Sequence, residues 1–209
     1  MGYDLPEIKK KGEISMKKYS LLLASMLTIG ATSIVAGNCS DVKVDFTFYG
    51  AKDKSYIVTK NTFKEIKATF TDDKLEGAVA EINLFSIDTS ADMNNGKATW
   101  PDAMARVRDS NTKNTLFGKF TKDKGKAQAK IVKVNADSVD VEISMNGVTE
   151  KITMKTKTEG DTTTASGKLD VIKFAPEAWK TFSSVCKGFH KGKSWSEIDL
   201  NFHVPSSCK

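Results

Sequence analysis

The sequence predicts an all-β fold of about eight antiparallel strands, closed as a barrel or a sandwich, with one or two short helices. Three observations carry that expectation. Apolar and polar residues alternate along several short stretches, the pattern of strands that bury one face. The pair Asn146-Gly147 separates two such stretches. It is a strong hairpin signal, because a two-residue turn of this kind needs positive φ at both positions. Roughly eight such stretches recur at regular spacing, and one-sided antiparallel strands of this number close naturally as a barrel or a sandwich.

The elements follow in chain order. In residues 42–49, Val42, Val44, Phe46 and Phe48 share one face while Lys43, Asp45 and Thr47 share the other. Residues 62–70 and 75–87 continue the pattern less regularly. Residues 127–134 form a further strand. In residues 139–158, folding at Asn146-Gly147 sets Met145 opposite Val148, Ile143 opposite Glu150, Val141 opposite Ile152 and Val139 opposite Met154. Turn chemistry and apolar pattern therefore agree on one register. Glu150 is the exception on the inner face, placed either near the barrel mouth or at a polar spot inside. Residues 163–174 and 194–204 complete the set, the last with Ile198, Leu200, Phe202 and Val204 inward.

Two segments read as helical. Pro176 suits a helix first turn, and after it Trp179, Phe182, Val185, Cys186 and Phe189 recur at three- and four-residue steps. Residues 101–117 are a second helix, with an expected break near Ser110.

The N-terminus carries an export signal. Met16-Lys17-Lys18-Tyr19 is a basic start, residues 21–36 are apolar and rich in small side chains, and Val35-Ala36-Gly37 suits signal peptidase. Cleavage is expected after Gly37. Asn38 stands between that glycine and Cys39, which argues against lipidation. Residues 1–15 look foreign to the signal. Lys11-Gly12-Glu13 can be encoded by a ribosome-binding sequence, so translation is expected to start at Met16. The chain therefore divides into an upstream extension (1–15), a signal peptide (16–37) and one barrel domain (38–209).

Composition narrows the function. Of 209 residues, 39% are hydrophobic and 28% charged, which suits one ordinary core. The net charge of +6 is spread along the chain with no basic cluster interleaved with aromatics, so no nucleic-acid partner is expected. There is no glycine-rich phosphate loop, no G-x-S-x-G and no H-E-x-x-H. With two histidines and no Cys-x-x-Cys, no metal set is expected. Asp88 and Asp109 read as turn and cap residues rather than a carboxylate pair. Cys186 and His190 stand four apart on one helix, but Cys186 lies on the apolar stripe and reads as a buried structural thiol. No catalysis is expected.

The order of segments from Val42 to Val204 resembles the YceI-like family. The resemblance rests on Ser86-Ile87-Asp88-Thr89, on Arg108-Asp109 followed by Leu116-Phe117, and on the hairpin from Met145-Asn146-Gly147-Val148-Thr149 to Met154. It rests further on Leu169-Asp170-Val171-Ile172-Lys173-Phe174 and on a helix before the final strand that leads into Lys191-Gly192-Lys193-Ser194-Trp195. This resemblance implies an eight-stranded lipocalin-like barrel, periplasmic or secreted. It also implies binding of polyisoprenoid chains, isoprenoid quinones or fatty amides, with no agreed enzymatic activity. Residues 90–105 form a longer connection than the family has, and are expected to reshape the cavity mouth.

The expected function is a carrier that holds one long apolar lipid, its only cofactor-like partner. The expected wall is Val44, Phe46, Phe48, Ile82, Leu84, Val141, Ile143, Met145, Ile152, Met154, Leu169, Val171, Ile198, Leu200 and Phe202. Phe117, Trp179 and Phe182 are expected at the mouth. A filled, ligand-free barrel with a structural or stress-response role is the rival reading. The charged outer face of the 139–158 hairpin argues against stable membrane insertion, and the sequence leaves homodimerisation open. In a closed barrel the first and last strands are neighbours, so Cys39 and Cys208 are expected to form a disulfide and Cys186 to stay free.

Overall fold

The computed structural model describes residues 36–39, 41–72, 74–92 and 101–208. The expected signal peptide and upstream extension fall largely outside them, and the expected cleavage after Gly37 falls inside the first strand segment. Among these described residues, eleven strand segments make one antiparallel sheet. They are β1 (Ala36–Cys39), β2 (Lys43–Gly50), β3 (Tyr56–Phe63), β4 (Ile66–Thr71), β5 (Lys74–Asn83) and β6 (Ile87–Asp88). The later ones are β7 (Lys126–Val134), β8 (Ser138–Met145), β9 (Val148–Glu159), β10 (Thr162–Asp170) and β11 (Glu197–Pro205).

Six of these segments are halves of longer staves. β1 leads into β2, β3 into β4 across Lys64-Glu65, and β5 into β6 across a 3-10 turn at Leu84–Ser86. The register that sets Cys39 opposite Ala68 is the same one that sets Phe46 opposite Asn61. Single backbone bonds from Lys64 N to Ser86 O (3.1 Å) and from Asn83 N to Glu65 O (3.0 Å) bridge two of the interruptions. Eleven segments, three pairs of them merged, therefore make the expected eight staves. Each is antiparallel to the next in the chain, and β11 pairs with β2 from Asp199–Thr47 to His203–Lys43, closing the ring. This is the up-and-down, lipocalin-like barrel. The three interruptions sit side by side on neighbouring staves.

The central hairpin forms in the expected register, from Met145–Val148 through Val139–Met154. Asn146 and Gly147 take φ values of 51° and 75°, which supply the turn. Asn146 also works as a clamp. Its Oδ1 accepts from the backbone N–H of Thr121 (2.7 Å) and Lys122 (3.0 Å), and its Nδ2 donates to Phe174 O (2.9 Å). Glu150 lies at the rim, where Lys173 reaches its carboxylate at 3.1 Å. That settles its place near the mouth.

Two helices cap one end, α1 (Asp102–Thr115) and α2 (Pro176–Cys186), packed against each other. α1 is continuous, so the expected break near Ser110 is absent; Asn114 Nδ2 donates to Ser110 Oγ across that turn instead. The expected strand 163–174 ends at Asp170 and gives way to a 3-10 turn, Val171–Lys173, because the chain must bend into Pro176. The apolar stripe of α2 is narrower than its spacing implied. Trp179, Phe182 and Cys186 are buried, whereas Val185 and Phe189 are about half exposed. Val185 is turned about 100° from Cys186 on the helix wheel, and Phe189 lies beyond the helix end.

The interior divides into a large cluster toward the helices and a smaller one at the opposite end. The smaller holds Val42, Ala68, Phe70, Ala78 and Val204 around Cys39 and Cys208, which form the expected disulfide with Cα atoms 5.5 Å apart. Cys186 is free and buried. No helix among the described residues is long and apolar enough to cross a membrane.

Candidate functional site

Inward residues of the staves meet under α1 and α2 around a cavity of about 190 Å³. Val44, Phe46 and Phe48 reach it from β2, Ile82 from β5, Ile143 and Met145 from β8, and Leu169 from β10. Ile198, Leu200 and Phe202 reach it from β11, and Leu84, Phe117, Val171, Trp179 and Phe182 from the turns and α2. Strand alternation brings ten of these fifteen expected residues to the cavity, and the 3-10 turns and α2 supply the other five.

Three expected wall residues lie elsewhere. Val141 lines a second, smaller cavity of about 50 Å³ farther down the barrel, with Val42, Ala68 and Val139. Ile152 packs against the main cluster, and Met154 is wholly buried in it, without reaching the main cavity. Met154 occupies the space over Gly167, where a Cβ would come within 2.9 Å of its Cγ. The interior is thus filled at mid-height by this side chain, and strand alternation alone does not reveal that layer.

The sequence pattern missed residues on both sides of the mouth. Met104, Val107, Arg108, Asn111 and Thr112 line the cavity from α1, part of which belongs to the long 90–105 connection; residues 93–100 lie outside the described ones. Tyr56, Val58, Asn61 and Phe63 line it from β3. β3 carries a bulge opposite Phe46–Phe48, with Lys60 at φ 55°. The extra residue changes which side chains face in, so Tyr56 and Val58 are followed on the wall by Asn61 and Phe63. Nothing in simple alternation marks that change of phase.

A polar corner interrupts the apolar wall. Arg108 Nη1 meets Asp92 Oδ2 at 2.8 Å, Arg108 Nη2 donates to Thr89 O at 3.1 Å, and Thr59 N donates to Asp92 Oδ1 at 2.9 Å. His190 stands among the rings of Phe48, Tyr56 and Phe182, with centroids at 4.7, 5.4 and 5.7 Å, and its Nδ1 shares a hydrogen bond with Ser194 Oγ at 2.7 Å. Burial first, and the charge of Arg108 second, push its pKa down to about 4, so the imidazole is neutral at pH 7. Burial pushes the Cys186 thiol up to about 11. A thiol held so high carries almost no thiolate at neutral pH and is a poor nucleophile. The Cys186–His190 relation is a backbone hydrogen bond of 2.9 Å from His190 N to Cys186 O. Asp88 accepts from Ser90 N (2.9 Å) and pairs with Lys64 (2.9 Å), while Asp109 accepts from Thr89 N (3.1 Å). Both carboxylates serve turns and caps.

Among the solved structures to which the chain is similar is BcnA of Burkholderia cenocepacia. The sequences are 14% identical with a TM-score of 0.47, over 78% of this chain and 94% of that one. Another is the YceI protein of Campylobacter jejuni, 16% identical with a TM-score of 0.46, over 90% of this chain and 96% of that one. No family model and no curated protein matches the chain.

Proposed function

We propose that the protein is an exported carrier whose barrel holds the apolar chain of one lipid, of the polyisoprenoid, isoprenoid quinone or fatty amide kind. The observation that carries this reading is the interior cavity under α1 and α2, walled by aromatic and aliphatic side chains from nearly every stave. A chain placed there is driven in by loss of apolar surface to water, about 25 cal/mol per Å² before the cost of association. Recognition is then by shape, with few polar contacts. Export to the periplasm follows in this reading from the signal-like N-terminus.

The cavity's size favours a second reading. At about 190 Å³ it falls below the ~300–1,000 Å³ of ordinary ligand pockets. A long isoprenoid therefore needs the wall to give way or part of the chain to extend through the mouth, whereas a filled structural barrel needs neither. Native mass spectrometry of protein purified from its own periplasm, followed by organic extraction, separates the two. A discrete added mass, released as an isoprenoid or fatty compound, is the result expected of a carrier. A bare mass, with no uptake of quinone or polyprenol offered in vitro, would turn the assignment to the structural role.

A further inference from the structure

Among the described residues, the wall contains one buried amide whose hydrogen bonding is incomplete. Asn61 is 1% exposed and lines the main cavity. Its Nδ2 donates to Phe46 O at 3.0 Å and to Val58 O at 2.8 Å, which uses both amide hydrogens. Those two carbonyl partners fix the orientation of the amide, since a flipped group would set oxygen against oxygen. The Oδ1 is left buried with no hydrogen-bond partner. A buried acceptor in that state is destabilising, and natural folds keep few of them. The backbone is bent to place it there. The β3 bulge, with non-glycine Lys60 in the left-handed region, is what brings Asn61 to the wall. Bulges of this kind re-aim side chains at sites.

We infer that Asn61 Oδ1 is the acceptor for a hydrogen-bond donor, a hydroxyl or N–H, on the bound molecule's polar end. This rests on the carrier reading and narrows it. A chain ending in a hydroxyl or an amide N–H is preferred over one whose polar end only accepts, as in an ether, an ester or an oxidised quinone. Phe46 and Phe63, stacked with centroids 5.5 Å apart, flank the same stretch of wall and supply the apolar surroundings that make a single hydrogen bond count.

The test compares octanol, octyl methyl ether and octane as competitors for a fluorescent apolar probe, in the unsubstituted protein and in Asn61→Leu. Comparing ratios between the two proteins cancels the differing water solubilities of the competitors. The alcohol is expected to gain about tenfold over the ether and the alkane in the unsubstituted protein relative to the variant, the worth of one such bond. If all three compete but the ratios match in both proteins, the assignment of Asn61 is overturned and the carrier reading stands. If Asn61→Leu fails to fold, octanol and octyl methyl ether competing equally in the unsubstituted protein, after correction for their water–octane partition, overturns it alone. If none of the three competes and no lipid is extracted, the carrier reading fails and takes this inference with it.

Discussion

Arg108 and Asp92 form an ion pair of 2.8 Å whose side chains are 9% and 0% exposed. Arg108 belongs to α1, while Asp92 follows β6 and is held by Thr59 of β3. The pair therefore fastens the helical cap to the rim of the barrel, beside the cavity mouth.

Removing one partner strands the other charge away from water. Asp92→Leu is expected to lower unfolding stability by about 3–5 kcal/mol, read as a fall in the urea midpoint. Asp92→Leu combined with Arg108→Met is expected to recover much of that loss. Strictly additive losses in the double variant would show that the two side chains are not coupled.

His190 makes stability depend on acid. Its folded pKa, about 4, lies below the ordinary 6.5 because burial disfavours the charged ring. The unfolded chain therefore binds the proton first. The contribution is fully present above pH 6.5 and is lost as pH falls toward 4, worth about 3 kcal/mol at 1.36 kcal/mol per pH unit. Unfolding titrations across this window are expected to show a slope that His190→Gln removes. A slope unchanged by that substitution would assign the acid sensitivity elsewhere.

The Cys39–Cys208 bond spans 169 residues. Closing so long a loop restrains the unfolded chain, and its loss is expected to cost about 2–5 kcal/mol. The double substitution Cys39→Ser, Cys208→Ser should unfold at lower denaturant, and a reductant should lower the midpoint of the unsubstituted protein to match. Equal midpoints with and without reductant would contradict the pairing.

Met154 fills the barrel at mid-height. Met154→Ala is expected to cost about 2–5 kcal/mol through the void it leaves over Gly167, while leaving competition at the main cavity within twofold. Loss of binding without loss of stability would place Met154 in the ligand wall after all.

Much of the barrel was legible because its signals are local. Asn146-Gly147 and the alternation around it fix one register between β8 and β9, and the even residues of β2 and β11 announce their inner faces. Chain direction in a closed ring brings Cys39 to Cys208. The rest depends on features with no local signature. The bulge at Lys60 turns Asn61 inward, a change of phase that period-two reading cannot detect. Met154 obeys the alternation but faces Gly167 rather than the cavity, and only packing across staves decides that. Arg108 and Asp92 meet through tertiary placement of α1, which no spacing in the sequence encodes. Val185 matches the helical step yet stands outside the packed stripe, since contact depends on where the helix axis lies over the barrel, and Phe189 falls after the helix has ended.

The side-by-side interruptions at Leu84–Ser86, Lys64-Glu65 and the step from Cys39 to Lys43 give the shell a preferred direction of bending. The β8–β9 and β10–β11 ladders run without interruption, from Ser138–Lys155 to Met145–Val148 and from Thr162–Pro205 to Asp170–Glu197, and are the stiff parts of the shell, whereas the first three staves are cross-linked at that height by only sparse backbone bonds. Enlargement of the interior is therefore expected on the flank of Phe46, Phe63 and Leu84, with amides there exchanging with solvent ahead of those in β8 and β9. Faster or equal exchange in β8 and β9 would rule that flank out as the compliant one. Such a shell does not dilate evenly like a balloon; it yields like a cuff with a crease, and the crease sets the direction in which a cargo larger than the resting cavity would be accommodated.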